Sequence, residues 1–169
     1  MSLICRAAGP DDLETIARIW EDGWGEAHRT LVPPELIALR TSDSFRRRAA
    51  EALRYTRVIE DRARILGFWM VRDDEVYQFY VDADARGTGV AQALMSDALA
   101  ALRDAGVSRA WLHCAIGNDR ARRFYERSGW TLARTEVGHV DTLEGPFELQ
   151  LWRLEIALSS PSGQARTGS

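Results

Sequence analysis

The chain has 169 residues, 46% hydrophobic and 28% charged, with a net charge of −3, which fits one domain with a sizeable core and gives no basic excess for a nucleic-acid partner. All 22 basic residues other than histidine are arginine, and the missing lysine excludes a pyridoxal Schiff base, a Walker A loop and a Ser-Lys dyad. Two cysteines, Cys5 and Cys114, a start without a charged-then-apolar leader, and no apolar run long enough for a bilayer imply a cytoplasmic chain with no membrane partner.

Ser2–Ala8 reads as a first strand that Gly9 and Pro10 stop. Asp11 or Asp12 then caps a helix with Leu13, Ile16, Ala17, Ile19 and Trp20 on one stripe. Pro33 and Pro34 fit the first turn of a short helix. Ser42 or Ser44 caps another, whose run Arg46-Arg47-Arg48 reads as a solvated face. Three strands follow, Tyr55–Asp61, Arg62–Arg72 and Asp74–Ala83, joined by tight turns. Gly89–Leu102 is a helix with Gly106 beyond its end, and Arg109–Ile116 is a short buried strand. Asn118 caps a helix that Gly129 ends, and two strands, Trp130–Val137 and Phe147–Ile156, close the fold. The expected class is α/β (α+β): a mixed, mostly antiparallel central sheet of about seven strands flanked by about four helices, all in one domain over residues 1–158. Residues 159–169 form a polar tail with the composition of disorder.

The chemistry concentrates at Arg86-Gly87-Thr88-Gly89, where a strand runs into a helix. Glycines let backbone N–H groups approach a ligand. The helix start adds unpaired donors and the positive end of its dipole, and an arginine adds a permanent charge. Together they describe a phosphate site; the other reading is a tight turn that binds nothing. A dinucleotide fingerprint needs a third glycine where this chain has Gln92, and it needs an earlier strand. Zinc and serine-hydrolase motifs are absent, and no metal is expected.

Arg86-Gly87-Thr88-Gly89-Val90-Ala91, followed by a strand and then a helix with Asn118, Ala121, Phe124-Tyr125 and Gly129-Trp130, resembles the GCN5-related N-acetyltransferase (GNAT) family over roughly Leu3 to Ile156. The resemblance implies a sheet splayed between its fourth and fifth strands. It implies acetyl-CoA as co-substrate, with the pyrophosphate on the backbone of Gly87, Thr88, Gly89, Val90, Ala91 and Gln92 beside Arg86. The pantetheine would pair like an added strand with Phe79, Tyr80 and Val81, and Val81 N–H would face the thioester oxygen. Asn118, Ala121 and Phe124 would complete the cofactor wall, with Phe124 also readable as plain packing. Tyr125 stands where the family places the acid that protonates the departing thiolate.

The base has three readings: His113 on the fifth strand, Glu75 at the start of the fourth, or a chain of waters. The acceptor would enter near Trp24 and His28, with Glu21, Asp22 and Glu26 drawing in a cation. The implied activity is transfer of an acetyl group to a primary amine of a small molecule or peptide, by direct attack in a ternary complex. The alternative is a non-catalytic acyl-CoA-binding or sensing module on the same fold. The resemblance also implies a homodimer, through an exposed last strand.

Overall fold

The apolar run Ile65–Val71 forms the middle of strand β3 (Arg64–Arg72), the most buried strand of the sheet. The computed structural model describes residues 1–159, so the expected disordered tail lies outside the described residues except for Ser159. Around β3 stand β1 (Leu3–Ala7), β2 (Thr56–Asp61), β4 (Glu75–Val81), β5 (Arg109–Ala115), β6 (Thr131–Val140) and β7 (Phe147–Ala157). The seven strands run in the order β1-β2-β3-β4-β5-β7-β6. All neighbours are antiparallel except β4 and β5.

Among the described residues five helices cover the sheet: α1 (Leu13–His28), α2 (Pro34–Leu39), α3 (Ser42–Ala52), α4 (Val90–Asp104) and α5 (Asp119–Arg127). On one face α1 and α3 bury Trp20 and Phe45 against Phe68, with ring centroids 5.6 and 6.0 Å from Trp20. On the other face α4 lays Val90, Leu94 and Ala98 against Ile59, Leu66 and Trp69. Both arrangements follow the helical stripe and the strand alternation.

Several local expectations change. Thr41, not Ser42 or Ser44, caps α3: its hydroxyl accepts from Ser44 N–H. Asp12 stands at the start of α1, yet its carboxylate takes hydrogen bonds from Arg6 and from Gly9 N–H instead of capping that helix. The last strand, β7, lies between β5 and β6, so it offers no exposed edge for pairing two copies.

Two features position the site. First, the connection from β4 through α4 to β5 makes those strands parallel, and they share one register pair, Glu75 with Trp111. Second, β4 carries a bulge: Gln78 faces Met70 and Val76 faces Val71, leaving Tyr77 as the extra residue. Tyr77 therefore joins Tyr80 on the α1–α3 face, while Val76 and Phe79 pack on the α4–α5 side.

Candidate active site

β4 and β5 touch at their start, where Trp111 N–H donates to the Asp74 carbonyl at 3.0 Å, and then diverge. Asp82 N–H turns back to the Leu66 carbonyl of β3. By the alternation of an antiparallel strand, Val81 and Phe79 direct their N–H groups the other way, into the gap. A cleft of about 630 Å³ follows this gap through the molecule. At one end it reaches Arg86, Gly87, Ala91 and Asn118, and at the other Trp24, His28, Glu75 and His113.

At the first end, Gly87 and Gly89 hold φ of +74° and +87°, conformations that glycine takes without strain. A Cβ at either position would meet no protein atom within 4 Å, so the space over this backbone is open. No side chain caps α4, which leaves its first N–H groups free for an anion. Thr88 does not point outward; its hydroxyl donates to the Ala85 carbonyl. Arg86 makes a bidentate pair with Glu26 (2.7 and 2.8 Å), and Arg120 reaches the same carboxylate at 3.2 Å. The two guanidiniums hold the Glu26 carboxyl down at about 2. Two guanidiniums that line this end of the cleft thus meet on one carboxylate.

Asn118 accepts from Ala121 N–H and so caps α5, which brings Phe124 and Tyr125 under β4. The Phe79 ring stacks on Phe124 at 5.6 Å and meets Tyr125 edge-on at 6.4 Å. Burial pushes the Tyr125 phenol well above its ordinary value and the nearby Cys114 thiol up to about 12. Both stay protonated at neutral pH.

At the far end, burial raises the Glu75 carboxyl against the opposing pull of Arg72 at 3.4 Å. His113 Nε2 lies 2.9 Å from Glu136 Oε1 on β6. The His113 hydrogen bond, with Arg134 and Arg153, holds Glu136 at about 2. Gly138 makes room for the imidazole: a Cβ there would come 2.9 Å from His113 Cε1. Glu136 and Gly138 had no local signal, because they reach His113 across β7, which lies between β5 and β6. Trp24 lines the cleft, and His28 stacks on it at 5.1 Å with Nδ1 on the Trp24 carbonyl. Burial lowers the affinity of His28 for a proton. The acids expected beside them turn away: Glu21 takes Ser42, Asp22 takes Arg18 and Glu26 takes Arg86.

The arginine run divides. Arg46 and Arg47 pair at the surface with Glu14 and Asp43, but Arg48 is buried against Trp20 and lines the cleft. Its signal was the helical period, which sets it beside Phe45, Ala49 and Ala52.

A mixed sheet opened between two parallel strands, with a glycine turn leading into a helix at the mouth, is an acetyltransferase-family architecture. The chain belongs to the acetyltransferase (GNAT) family, which matches residues 13–130. It is similar to an uncharacterized N-acetyltransferase of Mycobacterium tuberculosis, 39% identical over 79 residues, which are 44% of this chain and 51% of that one. It is also similar to a mycothiol acetyltransferase of Propionibacterium freudenreichii, 33% identical over 85 residues, 50% of this chain and 25% of that one. The chain thus spans about half the length, or less, of these curated relatives. Among solved structures it is similar to a GCN5-related N-acetyltransferase from Rhodopseudomonas palustris (TM-score 0.73, 16% identity, 94% of this chain and 97% of that one). It is similar as well to the PaiA N-acetyltransferase from Thermoplasma acidophilum in complex with coenzyme A (TM-score 0.66, 16% identity, 93% and 99%). At such identities the likeness is one of fold.

Proposed function

We propose that this chain moves the acetyl group of acetyl-CoA to a primary amine by direct attack in a ternary complex. The observation that carries the reading is the one cleft that joins Arg86 and Gly87 of the loop, the open edge of β4 and Tyr125. Acetyl-CoA, when bound, supplies an activated acyl group and a thiol leaving group. The N–H groups from Gly87 to Gln92, with Arg86 and Arg120, hold its phosphates, with Glu26 giving way. Asn118, Ala121 and Phe124 wall the arm.

Phe79 and Val81 N–H are the donors for the acyl oxygen, and the Phe79 ring meets Tyr125 edge-on. The Tyr125 hydroxyl carries the proton for the leaving sulfur. Glu75 receives the proton of the attacking amine, because burial has raised its basicity, and His113 beside it is held in one orientation by Glu136. Trp24 and His28 bound the acceptor.

Calorimetric titration with acetyl-CoA, beside an Arg86→Ala, Gly89→Glu double variant, tests the reading. Binding to the parent and loss in the variant is the expected result, followed by thiol release on adding amines. A parent that binds no acetyl-CoA overturns it.

A further inference from the structure

Arg48 is 6% exposed and makes no ion pair among the described residues. A guanidinium does not give up its charge, so burial without a counter-charge is costly. Its Nη2 donates to the neutral Tyr77 hydroxyl at 3.0 Å, and its plane lies over Trp20 at 4.4 Å. Its Nε and Nη1 have no partner. Arg40, in the same wall, repeats the pattern. Its Nε is unpartnered, and Nη1 donates to the Asp141 carbonyl at 2.6 Å. Burial and the Arg48 charge push the Arg40 guanidinium down to about 10. The two carboxylates of this wall, Asp141 and Glu75, both go to Arg72, at 3.0 and 3.4 Å. Three guanidiniums thus face two carboxylates, and the buried donors left over belong to Arg48 and to the half-buried Arg40.

An amine with no other charge would bring a second positive charge to a wall already in excess. Resting on the acetyltransferase reading, we propose that Arg48, with Arg40 beside it, holds a carboxylate of the acceptor, so that the acceptor is an amino acid. Tyr77, which meets Arg48, lies two residues from Glu75 and two from Phe79 along β4. A carboxylate seated on Arg48 therefore leaves the amine of the same small molecule within reach of Glu75 and of the gap. Val32, Leu36 and Leu149 supply apolar walls for its side chain.

The test uses matched pairs that differ by the carboxylate: L-leucine with isopentylamine, and L-phenylalanine with 2-phenylethylamine. With the unaltered protein and acetyl-CoA, the acid member is expected to exceed its partner about tenfold or more in kcat/KM, the scale of a charge-assisted hydrogen-bond pair. Arg48→Gln should collapse that ratio, Arg48→Lys should restore part of it, and Arg46→Gln, on the solvent side, should leave it alone. The same pairs are titrated calorimetrically without acetyl-CoA. Acids that bind through Arg48 while acetyl-CoA fails to bind would sink the acetyltransferase reading and keep only the carboxylate site on Arg48. Acids and amines that bind and react alike, or a ratio that survives Arg48→Gln in a folded variant, overturn the amino-acid assignment. The ratio in the unaltered protein decides the matter even where the variants do not fold.

Discussion

Gly138 is bare because the His113 ring needs the volume. A Cβ there would also come 2.7 Å from Leu151 Cδ1. Gly138→Ala should cost about 1–3 kcal/mol by overpacking and should lower kcat/KM through the displaced imidazole, measurable by urea unfolding and steady-state rates on one preparation. Tyr125→Phe keeps the ring packing against Phe79 and Trp130 and removes only the hydroxyl, the proposed acid. Its kcat should fall on the order of 10²-fold, with donor affinity unchanged. A proton-accepting Glu75 must be ionised, and burial shifts its titration upward. The rate should therefore rise with pH along a limb above the usual carboxylate range. Glu75→Gln should abolish that limb; a limb that persists assigns the base to His113 or to water. That Arg86, Gly87 and Tyr125 would line one cleft was legible in the sequence, because short motifs carry them. Glu136 was not: it lies 23 positions from His113, on a strand two places away in the sheet, and the two side chains meet across β7.

At the scale of elements, the strand–loop–helix unit from β4 to α4 was readable, since glycine spacing and a helical stripe mark it. The bulge in β4 was not. Strict alternation puts Tyr77 on one face with Phe79, and the extra residue turns it toward α3 instead, where it meets Arg48. A charge cluster on α3 likewise hid one buried member among exposed ones. The loop's own element-level test lies in α1. Glu26 bridges Arg86 of the loop and Arg120 of α5, and it competes with any phosphate there. Glu26→Gln should tighten acetyl-CoA binding about two- to fivefold, the size of an exposed ion pair of up to ~1 kcal/mol. The gain should shrink in high salt. Calorimetry at two ionic strengths measures both effects.

Over the whole molecule, carboxylates set the acid limit of stability. Asp12, Glu26, Asp82 and Glu136 all titrate below their ordinary values, each paired with arginine, histidine or a backbone N–H. A group with a lowered folded value stabilises above its unfolded value and loses that contribution as pH falls through the folded one. The urea midpoint should therefore hold from neutrality to about pH 5 and then decline steeply. Glu136→Gln should start from a lower midpoint and flatten part of the decline.

The wedge between β4 and β5 has a consequence for the protein's own persistence. One register pair joins β1–β4 to β5, β7 and β6 within the sheet, and on the proposed reading the rest of the seam is filled by a donor that departs with every turnover. Ligand that binds only the folded chain adds about 2.7 kcal/mol at one hundred times its Kd. Limited digestion by a protease should then slow sharply in saturating acetyl-CoA, with early cuts on either side of the seam when it is withheld. The lifetime of the catalyst would track the supply of its donor.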